Sequence, residues 1–208
     1  MRHDEPVKPV TVPLWLLDVD GVLNAVTNDP DRAVWDDWQR GEAHAQGATW
    51  PICFSPTVIR TIRRLSEGRF VDIRWLTTWK DNANGDLLEL LELPAFPVAG
   101  ADVSAEASPS AITASSGDGP PSHGAARPGR PGAKRWWKFD IVRELVQAAP
   151  NRPLIWTDDD LWVERDAVTW VRDHARSSLV LAPPPAVGLT PRQLRRIEEF
   201  CSGHARQR

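Results

Sequence analysis

Four short stretches of this chain carry side chains suited to chemistry. Asp18-Val19-Asp20-Gly21 closes an apolar run that starts at Leu14, Thr77-Thr78 closes a second, and Asp158-Asp159-Asp160 closes a third. A lysine, Lys134 or Lys138, precedes the last of them. Two carboxylates at the end of a buried strand repel each other and are poorly solvated. A divalent cation relieves both problems, and an oxygen-only donor set suits Mg²⁺. Gly21 permits a sharp departure from the strand. A calcium-binding EF-hand loop also contains Asp-x-Asp-Gly, but placing Gly21 at its sixth position puts Leu16 first and Thr27 twelfth, and neither is a carboxylate. The plainer alternative is a surface turn in which Asp and Gly serve only the backbone.

These stretches need a scaffold that brings strand ends together. Pro13 precedes the first apolar run, which reads as a buried strand. Residues 25–49 show no clean period. Trp35 and Trp38, three apart, suggest a short helix ending near Gly41, and residues 50–54 a short strand. Ser55-Pro56 starts a helix whose apolar face is Val58, Ile59, Ile62 and Leu65, with Gly68 at its end. Residues 70–76 read as a second strand, 86–93 as a helix and 96–99 as a third strand. From 100 to 133 the composition turns to Ala, Ser, Pro and Gly, the mark of a flexible insertion with no phosphate-loop spacing. A helix then runs to about 148, a fourth strand covers 154–157, a helix spans 161–175 and a strand 178–181. Thr190-Pro191 opens a final amphipathic helix. Strands alternating with helices imply a parallel sheet, and ligands bind beyond the carboxyl ends of such strands.

The 208 residues suit one domain, and 41% hydrophobic content suffices for a core. A net charge of −3 gives no electrostatic reason to expect nucleic acid. Two cysteines, Cys53 and Cys201, without metal-ligand spacing read as reduced thiols. The absence of a signal segment or membrane-length apolar run predicts a cytoplasmic protein with no membrane partner. Eleven Trp and no Tyr have no physical account in the sequence alone.

With Asp18-Val19-Asp20-Gly21-Val22, Trp75-Leu76-Thr77-Thr78, a lysine at 134 or 138, and Leu154-Ile155-Trp156-Thr157-Asp158-Asp159 in this order, the chain resembles the haloacid dehalogenase (HAD) superfamily of phosphohydrolases. Trp75-Leu76-Thr77-Thr78-Trp79 and Val187-Gly188-Leu189-Thr190-Pro191 are similar to the HAD domain associated with RNA-repair proteins. The resemblance implies a three-layer α/β/α sandwich with a Rossmann-like parallel sheet and a minimal cap, here a flap from residues 25–54. It implies Asp18 as nucleophile forming an aspartyl-phosphate, and Asp20 as acid and then base. Thr77 would bind phosphoryl oxygens, and Asp18, the Asp20 carbonyl and Asp158 would hold Mg²⁺, with Asp159, Thr78 and Gly21 in support. The Lys-Phe-Asp-Ile-Val context favours Lys138 over Lys134 as the charge-balancing lysine. The second acid selects phosphotransfer over dehalogenation, because a halide leaves without a proton and an alkoxide does not.

The expected function is a Mg²⁺-dependent phosphatase of phosphomonoesters, on a phosphorylated small molecule or a nucleic-acid end. The alternative is a catalytically idle HAD-like binding module. Each motif also has a plainer reading. Thr77 and Thr78 suit a strand, Asp158 to Asp160 suit a helix cap with Asp160 as the cap, and Trp79, Trp136 and Trp137 suit core or rim packing as well as base stacking.

Overall fold

The structure is a computed structural model describing residues 12–101 and 136–205. Lys134 and positions 102–133 of the expected insertion lie outside the described residues. In chain order the strands are β1 (Leu14–Leu17), β2 (Gln39–Ala45), β3 (Ala48–Phe54), β4 (Asp72–Trp75), β5 (Leu154–Thr157) and β6 (Ser178–Leu181). The helices are α1 (Pro56–Glu67), α2 (Asp86–Leu91), α3 (Trp137–Ala148), α4 (Arg165–His174) and α5 (Pro191–Ala205).

Four strands form a parallel sheet in the order β4-β1-β5-β6. Side chains of β1 and β5 are buried on both faces, the pattern a parallel sheet covered by helices requires. Trp15 and Leu17 point to a core shared with Val58, Ile59, Ile62 and Leu65 of α1 and with Leu194, Ile197 and Cys201 of α5. Leu14 and Leu16 point the other way, to Val142 and Val146 of α3 and Ala167 and Val171 of α4. The result is the expected three-layer sandwich. Each buried aliphatic side chain of α1 contributes about 1.5–3 kcal/mol relative to exposure. The chain leaves β1 through α1 to β4 on one side and returns through α3 to β5 on the other. Loops therefore diverge at β1, and parallel sheets place their ligands beyond the carboxyl ends of the strands at such a point.

Several local expectations give way to tertiary contacts. No helix forms around Trp35: the segment is a series of turns, and Gly41 lies inside β2. A Cβ on Gly41 would sit 2.5 Å from the Leu90 side chain, so α2 packs directly against that strand. Trp35 is buried with its indole N–H donated to the Leu189 carbonyl at 2.8 Å. The expected strand at 96–99 reduces to one bridge from Val98 to Trp75, because Pro97 cannot donate to a ladder. The strand expected over 70–76 is confined to Asp72–Trp75. The helix expected from 161 starts at Arg165, after a 3₁₀ turn over Asp159–Trp162.

Helix starts use caps of two kinds. Thr190 and Gln193 form a reciprocal capping box at α5, with the Gln193 N–H donated to Thr190 Oγ1 at 3.3 Å and the Thr190 N–H to Gln193 Oε1 at 2.9 Å. At α1, Ser55 does not cap. Asp37 instead accepts from the Thr57 N–H (2.8 Å), the Thr57 hydroxyl (2.6 Å) and the Ser55 hydroxyl (2.6 Å).

Candidate active site

Strand register decides which residues can meet. Leu17 pairs with Trp75 on one side and Thr157 on the other, so the residues that follow, Asp18, Leu76 and Asp158, leave the sheet side by side. The Asp18 N–H is donated to the Thr157 carbonyl at 3.1 Å, and the Leu76 N–H to the Leu17 carbonyl at 2.9 Å. Beyond them the chain tightens around Gly21, at φ +67°, and the Val19 carbonyl accepts from the N–H groups of Val22, Leu23 and Asn24.

Lys138 stands one residue into α3 and reaches across to both strand ends. Its Nζ donates to Asp18 Oδ2 at 2.6 Å and to Asp158 Oδ2 at 2.7 Å. All three side chains are buried, with exposures of 3% for Lys138, 6% for Asp18 and 0% for Asp158. Trp136 stacks on Trp156 with centroids 5.3 Å apart, and the ammonium lies 5.9 Å from the Trp136 ring centre. This wall excludes water from one side of the ion pairs. Trp137 is 40% exposed and takes no part in the wall.

Carboxylate oxygens of Asp18, Asp158 and Asp159 all lie within 4.8 Å of one another. Burial raises the Asp18 carboxyl above its ordinary value, against the pull of Lys138, the Val19 N–H and the Thr77 hydroxyl. Burial and then Asp18 raise Asp158 well above its ordinary value. Asp159 is pushed up to about 6 by burial, Asp18 and Asp160. Burial alone would depress Lys138, but Asp18 and Asp158 outweigh it and its pKa is raised, so the ammonium stays charged. Three acids thus share one cation. The donor set is all oxygen and its net charge is about −2 when ionised, which fits a hard divalent ion.

Asp20 is placed differently. Its carboxylate accepts one hydrogen bond on each oxygen, from Asn24 Nδ2 on Oδ1 and Trp79 Nε1 on Oδ2, both at 2.8 Å. Its side chain is not among the three grouped carboxylates, and its backbone carbonyl remains as the ligand atom the resemblance implies. Thr77 is buried beside Asp18. Thr78 is exposed, and its carbonyl accepts from Gln46 Nε2 at 3.0 Å, which ties the tip of the β2–β3 hairpin to the end of β4. Gly21 makes room for Asp159: a Cβ there would lie 2.4 Å from the Asp159 carboxyl carbon. The expected cap at Asp160 is instead Asp158, whose Oδ1 accepts from the Asp160 N–H at 3.1 Å, because Asp158 is the residue with extended backbone before the 3₁₀ turn.

A family model for the HAD domain in Swiss Army Knife RNA repair proteins matches residues 14–194. The chain belongs to that family. As a HAD domain it has the four-stranded parallel sheet and the acids at strand ends that its sequence announces. Comparison with curated proteins and with solved structures returns no match.

Three contributors to this HAD site are not legible as such in the sequence. Asn24 and Trp79 hold Asp20. Gly188 (φ +68°) lies against the Asp20 loop, where a Cβ would sit 2.6 Å from the Val22 carbonyl oxygen, and the Leu189 N–H is donated to that oxygen at 2.9 Å. The only signals for them were a polar Asn in an apolar stretch, a Trp directly after the paired threonines, and a Gly-Leu-Thr-Pro helix start.

Proposed function

We propose that this chain is a phosphomonoesterase that works through an aspartyl-phosphate on Asp18, with Mg²⁺ as cofactor. The observation that carries the reading is Lys138 bridging Asp18 and Asp158 at the ends of adjacent strands, with a third carboxylate alongside. Asp18, Asp158 and the Asp20 carbonyl would hold the cation, with Asp159 beside them. Bound there, it would neutralise the phosphoryl oxygens that otherwise repel an attacking carboxylate.

The chain's own groups divide the reaction in two. In the first half, an Asp18 oxygen forms a bond to phosphorus while the bond from phosphorus to the ester oxygen breaks. Asp20 gives its proton to that leaving oxygen. In the second half, Asp20 takes a proton from water as the water oxygen attacks phosphorus. The Asp18–phosphorus bond breaks, returning the Asp18 carboxylate and inorganic phosphate. Thr77 and nearby N–H groups hydrogen-bond the transferring oxygens, and Lys138 orients Asp18 and favours its carboxylate form against the effect of burial.

The RNA-repair setting of the family supports nucleotides or phosphorylated nucleic-acid ends as the substrate class. In this reading the hairpin within residues 25–54 is a small flap that leaves room for a bulky phosphorylated end. Buried free thiols at Cys53 and Cys201 accord with a reducing, cytoplasmic setting, and no described helix is long and apolar enough to cross a membrane. The test is hydrolysis of a generic aryl phosphate with and without Mg²⁺, alongside Asp18→Asn. Metal-dependent turnover lost in the variant is expected. Absence of turnover on aryl, nucleotide and RNA-end phosphates would replace the enzyme with a binding module.

A further inference from the structure

We infer that Trp79, with Asn24, is the positioning device for the acid and base Asp20, and that it sets how well the enzyme expels poor leaving groups. The inference rests on the phosphatase reading and adds to it a residue that acts through Asp20 rather than on the substrate.

The geometry is specific. Trp79 is 4% exposed and begins the 3₁₀ turn after β4, so its ring cannot swing freely. Its N–H is donated to Asp20 Oδ2 at 2.8 Å. Asn24 Nδ2 is donated to Asp20 Oδ1 at the same distance, and Asn24 is itself held by the Cys53 N–H on its Oδ1 at 2.8 Å. Buried indole N–H groups usually find an acceptor; the Trp156 N–H has none among the described residues, and three other tryptophans here use structural ones. Trp15 takes the Thr157 hydroxyl, Trp35 the Leu189 carbonyl and Trp75 the Asn84 amide oxygen. Trp79 spends its donor on the second acid of the site.

Neither an indole N–H nor a carboxamide is acidic or basic enough to act as a general acid or base at neutral pH, so the two donors cannot replace Asp20 in proton transfer. They fix the plane of its carboxylate before substrate arrives. Misplacement of a catalytic group by about 1 Å can cost about 100-fold, and proton transfer itself contributes about 10²–10⁴-fold. Loss of the clamp is therefore felt where the leaving oxygen needs a proton. An alkoxide needs one, whereas a dinitrophenolate does not.

The experiment compares kcat/KM for an alkyl phosphate and for 2,4-dinitrophenyl phosphate, in the wild type and in Trp79→Phe. The expected result is a ratio, alkyl over dinitrophenyl, at least about 10-fold lower in the variant. Thermal protection of the variant by Mg²⁺ with beryllium fluoride should remain, because Asp18 is untouched. An equal fall on both esters, or no fall on either, would overturn the inference and leave Trp79 as packing. A wild type inactive on both esters would overturn the phosphatase reading itself. If Trp79→Phe fails to fold, benzothienylalanine at position 79 preserves the ring shape and deletes only the N–H, and the same ratio decides.

Discussion

The two ends of the central sheet each carry an ion pair of nearly the same length and very different character. At the carboxyl end, Lys138 meets Asp18 at 2.6 Å and Asp158 at 2.7 Å with almost no solvent exposure. At the opposite end, Arg152 meets Asp72 at 2.6 Å, with the side chains 23% and 35% exposed. Arg152 also donates its Nε to the Val12 carbonyl at 3.2 Å, and a shallow depression of about 350 Å³ lined by Val12, Arg69, Asp72 and Phe96 opens beside it. Bond length does not separate these pairs, but access of water does. At the wet end Asp72 also lies 3.7 Å from Arg74 Nε, so one carboxylate serves two guanidiniums within reach of water. At the dry end one ammonium meets two carboxylates, with the Asp159 carboxylate grouped beside them, an arrangement with excess negative charge. A buried pair adds little net stability, yet breaking it is costly.

The sharpest way to break that contrast is Lys138→Met. It leaves Asp18 and Asp158 buried without their cation and should cost about 3–5 kcal/mol in denaturant unfolding, with activity down by about 100-fold or more. A loss below about 1 kcal/mol would mean the dry end behaves like the wet one. Gly21→Ala comes next. The added methyl meets the Asp159 carboxyl at 2.4 Å, and the residue would have to hold φ +67°. About 2 kcal/mol of stability should be lost, and Mg²⁺ affinity, followed by calorimetry, should fall about 10-fold as Asp159 is displaced.

Asp37→Ala lies between the extremes. Although burial opposes it, the hydrogen bonds from Ser55 and Thr57 and the charge of Arg60 hold the Asp37 carboxyl below its ordinary value. A carboxyl depressed in the folded state stabilises the fold above its unfolded value of about 3.8 and ceases to do so as pH falls through the folded value. The variant should lose about 1 kcal/mol at pH 7, measured by urea unfolding. That gap should close in acid below the ordinary carboxylate range. Smallest of all, Arg152→Met should cost at most about 1 kcal/mol, and less in high salt, with kcat/KM unaltered.

Much of the frame was legible because its signals are local. Apolar runs ending in acids mark β1 and β5, and an i, i+3, i+4 apolar face marks α1. These patterns follow from strand and helix periodicity, which needs no distant partner. Where local signals were weak the reading failed. Trp35 and Trp38 at helical spacing are held instead by carbonyls of Leu189 and Asp31, and the cap of α1 comes from Asp37 rather than the adjacent Ser55.

The sequence by itself determined which acids and hydroxyls end up at strand termini, because burial of Leu14–Leu17 and Leu154–Thr157 forces the chain to surface just beyond them. Only the tertiary structure decided that Lys138 spans Asp18 and Asp158, that Asp159 nests over Gly21, and that Trp79 and Asn24 grip Asp20. Those contacts join positions up to 138 residues apart in the chain (Asp159 and Gly21 are 138 apart, Lys138 and Asp18 are 120) through sheet register and close packing, and no local pattern encodes which neighbours the register will supply.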